Sequence, residues 1–302
     1  MAKTVAETIR DLSKKILDKN KGIVIGQCLS AVGWVQNTVP AQKKGIVELP
    51  MTDVAGAGFA VGASLAGIRP IFILRFQSFL WLNASPIVNH AAKSKEIFGY
   101  GAPVFIRAIA SEGSSSGPLH TNCYHSPFAH MPGLPICAPM TPKEYTKIWK
   151  KYLKNDLPML VSEHRRSYKE TIEFKDQISN SSRLSLFLIS ASRFESEKVI
   201  KILRKKKIEI DVFHLLWLKP FSIKKKYINS LKKTRNGLVI DSSYEICSIS
   251  EHISLKLMHK VNGCKVFNLG MKDRSPGCSP SLLNGTPDSA MIVKKILEII
   301  KQ

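Results

Sequence analysis

The sequence predicts an α/β fold made of two three-layer α/β/α domains. Short apolar runs of about four to eight residues alternate with longer segments whose apolar residues recur every third or fourth position. The short runs are typical of strands buried on both faces, and the longer segments are typical of helices with one buried face. Such alternation predicts parallel sheets covered by helices on both sides. A chain of 302 residues is long enough for two cores of this kind.

The first half begins with a helix predicted over 4–20, because Val5, Ile9 and Ile16 share one stripe with Leu12. Two more helices are predicted, at 52–67 and 83–97, and a Lys-rich helix precedes the last strand of this half. Apolar runs predict the strands of this half at 22–27, 45–50, 69–76, 102–110, 136–140 and 158–164.

A polar stretch from Tyr168 to Arg183 interrupts the alternation of strands and helices. We therefore predict a first domain over 1–168, a linker over 169–183 and a second domain over 184–302. In the second domain, basic or amphipathic helices separate the runs LSLFLIS, IEIDVFHLL, GLVIDS and KVFNLG, and a last helix ends the chain.

The segment TDVAGAGFAVGASLAG, at 52–67, combines one acid with a high density of Gly and Ala. A surface helix carries charge on one side, and this one does not, so the sequence predicts a helix buried on all sides with Asp53 at its start. Its small residues allow another helix or chain to approach closely. Two roles for Asp53 stay open, a helix N-cap or a carboxylate that binds a buried nitrogen base.

The formal net charge is +22, and much of it lies in the second half. The basic residues fall on predicted helices whose apolar positions face a sheet, which favours solvated helix faces. An acidic protein partner is a further interpretation. No helix-turn-helix, zinc-finger or RNA-reading motif accompanies the charge, so nucleic-acid binding is not predicted. The clusters are Lys198, Lys201, Arg204 to Lys207, Lys224 to Lys226, Lys232, Lys233 and Arg235.

The six cysteines are scattered and form no CxxC pair, which indicates reduced thiols rather than disulfides or a zinc ribbon. The charged N-terminal segment is not typical of a secretory signal. No apolar run approaches the roughly 20 residues of a membrane-spanning helix. These observations predict a soluble, cytoplasmic protein without a membrane partner.

Candidate site residues follow the predicted strands of the first half, where parallel sheets bind ligands. Phe76 and Phe79 lie at the end of the third strand, either as core residues or as a platform for a flat ring. The segment 111–135 is longer than an ordinary loop and contains His120, His125 and His130. Their spacing matches no helical metal motif, so no metal site is predicted. Imidazole acting as acid, base or hydrogen-bond donor is favoured instead.

Several segments resemble the β subunits of thiamine-diphosphate-dependent 2-oxoacid dehydrogenases, of the pyruvate and branched-chain type, within the transketolase superfamily. The segments are ELPMTDVAGAGFAVGASLAGIRPIF, NHAAK, GPLHTNC, FAHMPGLPICAPMTP and LVSEHRRSY. The second half is similar to the transketolase C-terminal domain at HLLWLKPF and GLVIDSSYE. The resemblance implies a transketolase-like pyrimidine-binding domain followed by a transketolase C-terminal-like domain.

The resemblance also implies site residues. Asp53 stands where the family has the glutamate that hydrogen-bonds the aminopyrimidine ring of the cofactor and promotes loss of the thiazolium proton. Phe76 and Phe79 fall where the family places aromatics around the pyrimidine. His120 matches the histidine that lines the substrate channel, and Gln27 follows the first strand, where the family carries acids.

The implied activity is decarboxylation and oxidation of a 2-oxoacid. The family's β subunit holds only the pyrimidine half of thiamine diphosphate, and an α subunit with a GDG motif holds the diphosphate and Mg²⁺. No GDG motif occurs here. The resemblance thus implies an α partner in an α2β2 heterotetramer, and a lipoyl acyltransferase core is a further expected partner.

Two departures keep other interpretations open. Asp53 is one methylene shorter than the expected glutamate, and Gln27 and Cys28 replace an acidic pair. One alternative is the C-terminal half of a split transketolase that transfers two-carbon ketol units. Another is a catalytically silent paralogue that keeps the fold and the partner.

Overall fold

The computed structural model describes residues 2–19, 21–112 and 116–301, so residues 113–115 of the predicted long loop lie outside the described residues. The described residues form two compact units. The first contains the residues up to Ser111 and Leu119–Glu173, and the second contains residues 112 and 116–118 and those from Phe174 onward. The division after Glu173 falls inside the segment predicted as a linker, 169–183.

Residue 112 joins the second unit, although the sequence places it in the first domain. The Glu112 carboxylate accepts a hydrogen bond from the backbone N–H of Thr286, which lies in the same unit. This bond joins residues far apart in sequence, so no local pattern could indicate it.

A parallel sheet forms the centre of the first unit. The order of its strands is β2-β1-β3-β4-β6-β5, and neighbouring strands run parallel. Each strand falls within the range predicted from its apolar run. The strands are β1 (Gly22–Gln27), β2 (Ile46–Leu49), β3 (Arg69–Leu74), β4 (Phe105–Ala110), β5 (Ile136–Cys137) and β6 (Met159–His164).

The longer helices of the first unit are α1 (Val5–Asp18), α2 (Asp53–Leu65) and α3 (Pro142–Leu153). The helix predicted at 83–97 is instead divided into the short segments Pro86–Ala91 and Ser94–Phe98. The short segments of this unit are Phe79–Leu82, Pro86–Ala91, Ser94–Phe98, His125–Ala129, Arg165–Ser167 and a left-handed turn at Gly33–Asn37.

One face of α2 is exposed, so the prediction of a helix buried on all sides is wrong for this chain. Val54 and Phe59 are each 51% exposed, and Leu65 is 42% exposed. A Cβ placed on Gly58 or Gly62 meets no atom within 4 Å. The opposite face packs against β3 and β1, because Ala57, Ala60 and Val61 are buried. The lack of charge on α2 therefore reflects an apolar surface rather than complete burial within the chain.

The second unit is also built on a parallel sheet, with strand order β10-β9-β7-β8. Helices α4 and α7 pack on one face around Leu186, Leu203 and Ile296. Helix α5 covers the other face, where the Ser185 and Ser230 hydroxyls hydrogen-bond at 2.5 Å. The elements are β7 (Ser185–Ile189), α4 (Ser196–Lys205), β8 (Asp211–Leu215), α5 (Lys225–Thr234), β9 (Asn236–Tyr244), α6 (Ile249–Lys260), β10 (Lys265–Met271) and α7 (Ser289–Lys301), with shorter segments at Ser190–Glu195, Trp217–Lys219 and Pro280–Leu282.

Basic side chains of the second unit collect at the amino edge of its sheet. The backbone N–H of Arg183 donates to the Glu209 carbonyl, and that of Lys265 donates to the Arg235 carbonyl, both at 2.9 Å. The helices α4, α5, α6 and α7 end at this same edge, since each returns antiparallel to the strands. The exposed cations of this basic edge are Arg183, Arg204 to Lys207, Lys232, Lys233, Arg235, Lys260, Lys265 and Lys301.

Among the described residues, no helix is long and apolar enough to cross a membrane. Within the same residues no disulfide bond joins any of the cysteines.

Candidate active site

A pocket lies at the carboxyl edge of the first sheet, where parallel α/β sheets bind ligands. β1 ends at Gln27 beside Leu49 of β2, and β3 ends directly before Arg75. The pocket is small and partly open to solvent. Its lining includes Gln27, Asp53, Arg75, Phe79 and Asn83. Three of the residues predicted from sequence, Gln27, Asp53 and Phe79, therefore share one pocket.

Asp53 is the first residue of α2, and its carboxylate is not used to cap the helix. The Gln27 amide lies against the start of α2, and with its oxygen turned to the helix it accepts hydrogen bonds from the Thr52 and Asp53 N–H groups at 3.2 and 3.0 Å. Within the described ranges, the Asp53 carboxylate makes no hydrogen bond or ion pair. The half-buried acid is therefore a free acceptor in the pocket, and the N-cap interpretation does not fit.

Three predicted rings form one cluster beside this pocket. The Phe76 and His120 ring centroids are 4.3 Å apart, and the Phe79 and His120 centroids are 5.7 Å apart. Phe76 and Phe79 meet edge to face at 5.9 Å. His120 therefore lies at the same edge of the sheet as Asp53. The Phe79 ring contacts His120 and also lines the pocket that contains Asp53.

A buried hydrogen-bond network fixes the loop that carries His120. The Gln77 amide donates to the Ala108 carbonyl at 3.1 Å and to the Ser162 hydroxyl at 2.8 Å, and its oxygen accepts from the Tyr124 N–H at 2.6 Å. The fully buried His125 lies with its Nδ1 2.8 Å from the Ser162 hydroxyl. The network ties the loop to β4 and β6, so His125 is a structural residue rather than a second imidazole lining the site.

Asn83 is a site residue that sequence reasoning missed. It is 1% exposed, and its side-chain NH₂ donates to the Phe79 carbonyl at 2.9 Å. Asn83 lines the pocket, and its buried side-chain oxygen has no hydrogen-bond partner among the described residues. A buried acceptor of this kind costs free energy unless a ligand donor satisfies it. No motif signals this role, because it depends on the turn after Phe79.

A buried ion pair lies beneath the site. The Arg107 guanidinium of β4 makes two hydrogen bonds to Glu163 of β6, at 2.8 and 2.9 Å, and a third to the Thr38 hydroxyl at 2.8 Å. Burial alone lowers the pKa of Arg107, but the Glu163 carboxylate outweighs it and raises that pKa overall. The Tyr168 hydroxyl also donates to Glu163, at 2.8 Å. These bonds hold β4 and β6 together directly below the loops of the site.

No group of three or more His, Cys, Asp or Glu side chains with metal-binding geometry occurs among the described residues. Other histidines lie outside the site. His90, His252 and His259 are exposed, and the His164 Nδ1 accepts from the Arg166 N–H at 3.2 Å.

The two parallel sheets, each covered by helices, define a tandem α/β protein. The family model of the transketolase pyrimidine binding domain matches residues 3–171. The model of the transketolase C-terminal domain matches residues 177–283. The chain therefore belongs to the transketolase family.

Curated relatives are named as β subunits. The chain is 26% identical to the acetoin:2,6-dichlorophenolindophenol oxidoreductase subunit β of Cupriavidus necator, over 72% of this chain and 68% of that one. It is 25% identical to the mitochondrial pyruvate dehydrogenase E1 component subunit β of Dictyostelium discoideum, over 70% of this chain but only 64% of the relative. It is 23% identical to the pyruvate dehydrogenase E1 component subunit β of Rickettsia felis, over 84% of both.

Solved structures share the fold. A split-gene transketolase, described as an inactive β4 tetramer, superimposes with a TM-score of 0.77 at 14% identity, over 100% of this chain and 99% of that one. The transketolase of Campylobacter jejuni gives a TM-score of 0.72 at 15% identity, over 97% of this chain and 46% of that one.

Proposed function

We propose that this chain is the β subunit of a two-chain thiamine-diphosphate-dependent 2-oxoacid dehydrogenase or decarboxylase, and that it binds the pyrimidine half of the cofactor. The observation that carries the proposal is the pocket at the carboxyl edge of the first sheet, where the Asp53 carboxylate is a free acceptor beside Phe79. The names of the curated relatives support the reaction class.

The residues of the pocket fit an aminopyrimidine. Asp53 and Asn83 offer two hydrogen-bond acceptors without partners among the described residues. An aminopyrimidine has two matching donors, a protonated ring nitrogen and an exocyclic amino group. Phe79 supplies an apolar wall for the flat ring. When bound, the cofactor supplies the electron sink for decarboxylation. Asp53 then holds a proton at the pyrimidine, and His120 is placed to donate or accept a proton near the substrate.

The shorter acid is compatible with this assignment. The Gln27 amide at the end of β1 hydrogen-bonds the N–H groups at the start of α2 when its oxygen is turned to the helix. This contact determines the distance between the start of α2 and the pocket. A helix start held in this way fixes the position of the Asp53 side chain. We therefore assign Gln27 to positioning Asp53, as well as to lining the pocket.

An α chain completes this proposal. The relatives are named β subunits, and the printed sequence contains no GDG motif. We propose that the partner carries this motif, holds the diphosphate and Mg²⁺, and assembles with this chain as α2β2. A lipoyl acyltransferase core is a further proposed partner, and the basic edge of the second unit is a suitable surface for its acidic domains.

The test is activity of the co-expressed complex with a set of 2-oxoacids and an artificial electron acceptor. Asp53→Ala is expected to lower turnover about 100-fold or more, the usual effect of losing a proton-transfer group. Asp18→Ala, at an exposed position at the end of α1, is the matched control and is expected to leave turnover unchanged. Full activity of the Asp53→Ala complex rejects the assignment of the acid.

Two other readings predict different outcomes in the same assay. The C-terminal half of a split transketolase releases no carbon dioxide but moves a ketol unit from a ketose phosphate to an aldehyde. A silent paralogue forms the complex and turns over neither substrate.

A further inference from the structure

The basic edge of the second unit carries cationic residues at the starts of neighbouring strands. Arg183 precedes β7, Arg235 precedes β9, and Lys265 is the first residue of β10. The register of the strand pairing places these three residues at nearly the same level of the sheet. Adjacent strands are about 4.8 Å apart, so the three positions form a row with roughly that spacing.

The ends of four helices add further cations beside this row. Each helix returns antiparallel to the strands, so its last turn lies at the amino edge of the sheet. The end of α4 continues into four consecutive cations, Arg204 to Lys207. Lys232 and Lys233 lie in the last turn of α5, and Lys260 and Lys301 are the last residues of α6 and α7. Segments far apart in sequence therefore contribute to one cationic surface.

The helix dipoles account for only part of this charge. A cation in the last turn of a helix offsets the partial negative charge there, which amounts to about half an elementary charge. Such a charge does not balance the run of four cations at the end of α4. Arg183 and Lys265 lie at the starts of strands, where no helix dipole explains them.

Acidic side chains compensate few of these cations. The Arg204 Nε lies 3.3 Å from the Glu209 carboxylate, and the Lys233 Nζ lies 3.0 Å from that of Asp211. A surface of one sign attracts an oppositely charged polymer. The cations of the basic edge that form no ion pair within the described part of the chain are Arg183, Lys205 to Lys207, Lys232, Arg235, Lys260, Lys265 and Lys301.

The turns that carry the cations indicate which polyanion fits. Exposed amides, Asn180 and Asn262, lie among the cations, and together these side chains are usual donors to nucleic-acid phosphates and sugars. In these turns, which all lie within the described residues, no large apolar side chain is exposed. A membrane-binding surface ordinarily presents such side chains. The turns are 180–183, 204–207, 232–236 and 260–265.

We propose that the basic edge of the second unit binds the phosphodiester backbone of nucleic acid without reading its sequence. A duplex strand carries one phosphate per about 3.4 Å of helix axis, which is comparable with the spacing of the row of strand starts. The carboxylates of a folded acidic protein have no such regular repeat. Base-reading motifs are not needed, because contacts to phosphates are independent of sequence. The sequence alone did not predict this binding, since only the fold collects the cations at one edge.

The test is binding of the full chain to a labelled single-stranded oligonucleotide of about 20 nucleotides, as RNA and as DNA, measured by fluorescence anisotropy. Titrations between about 50 and 200 mM salt give the slope of log K against log salt concentration, which reports the number of phosphates contacted. We expect a slope of about −4, as for six phosphates on a single strand. Oligonucleotides of different sequence are expected to bind with affinities within about threefold of each other.

An edge variant and a control variant locate the binding surface. The edge variant replaces four exposed lysines of the basic edge, by Lys205→Gln, Lys206→Gln, Lys232→Gln and Lys265→Gln. We expect its slope to become shallower by up to about 3, since each phosphate contact contributes about 0.7, and its affinity to fall at least about tenfold. The control variant removes the same charge from exposed positions of the first unit, by Lys14→Gln, Lys15→Gln, Lys43→Gln and Lys44→Gln. It is expected to bind within about threefold of the wild type. Thermal melts verify that both variants are folded.

Two further probes test other partners for the same surface. Vesicles with about 30% phosphatidylserine represent an anionic membrane, and polyglutamate represents an acidic protein. Binding of either probe in place of the oligonucleotides assigns the edge to that partner and overturns the proposal. Oligonucleotide binding that the control variant weakens as much as the edge variant does also overturns it. Neither result bears on the proposed function, because the candidate active site contains none of these lysines.

Discussion

At the scale of single residues, the position of Asp53 depends on a contact that no local pattern reveals. Helix α2 starts at Asp53, and an acid there ordinarily caps the helix. Gln27, 26 residues upstream, can take that role, because its amide oxygen accepts hydrogen bonds from the Thr52 and Asp53 N–H groups when it is turned to the helix. The carboxylate is thereby left for the pocket. The sequence is compatible with Asp53 as a helix N-cap and as a ligand-binding carboxylate, and it does not distinguish between the two roles.

The buried pair of Arg107 and Glu163 gives a prediction for stability. Glu163→Gln removes the charge that compensates a fully buried guanidinium, and breaking such a pair costs roughly 3–5 kcal/mol. We expect the free energy of unfolding, from urea titrations, to fall by about this amount. Glu96→Gln, at an exposed position, is expected to change it by less than about 0.5 kcal/mol.

The double variant Arg107→Met/Glu163→Leu distinguishes the effect of losing the ion pair from the effect of leaving one buried charge unpaired. Because it leaves no buried charge behind, we expect it to be less destabilising than Glu163→Gln alone. A loss below about 1 kcal/mol in Glu163→Gln contradicts the structural role given to the pair.

At the scale of an element, α2 shows why an uncharged helix need not be buried within its own chain. Its inner face packs on the sheet through Ala57, Ala60 and Val61. Its outer face presents Val54 and Phe59, each half exposed, beside glycines with open space above them. Periodicity indicates which residues are apolar but not whether the chain itself or a partner covers them. The close approach predicted from the small residues stays a prediction about assembly.

Gly62→Leu tests that prediction. A side chain at Gly62 enters open space, and leucine has a better helix propensity than glycine by roughly 0.5–1 kcal/mol. We expect the free energy of unfolding of the isolated chain to stay unchanged or rise. Assembly with the α chain, measured by analytical ultracentrifugation, is expected to weaken, because the added bulk prevents close approach.

Asn180→Leu is the control for that experiment, since it adds similar apolar bulk at an exposed position of the second unit. It is expected to leave assembly unchanged. Normal assembly of Gly62→Leu shows that α2 is not part of the interface.

At the scale of the whole molecule, the sequence predicted the strands of both sheets, because runs such as IFIL and LFLI are apolar at every position. It also indicated Asp53, Phe76, Phe79 and His120, which the fold gathers at one edge of the first sheet. It could not indicate Asn83. The candidate role of Asn83 depends on a side-chain oxygen without a hydrogen-bond partner among the described residues, which only the three-dimensional arrangement reveals.

The second unit gives the molecule a pH dependence that is independent of the site. The His214 ring stacks on Phe174 with centroids 4.7 Å apart. Burial first, and then the Arg193 cation, lower the pKa of His214 to about 3. An unfolded histidine titrates near about 6.5. Between these two values the unfolded chain binds a proton that the folded chain excludes. The contribution of His214 to the free energy of unfolding should therefore fall as the pH drops from about 6.5 and level off below about 3.

Urea titrations between about pH 7 and pH 4 measure this effect. His214→Gln removes the titrating group, so we expect the variant to lose less stability over this interval than the wild type does. His259→Gln, at an exposed position in the same unit, should keep the wild-type pH dependence. Carboxylates titrate alike in all three proteins, so the difference between the curves isolates His214. Identical curves for His214→Gln and wild type would mean that His214 is solvated enough to accept its proton in the folded state.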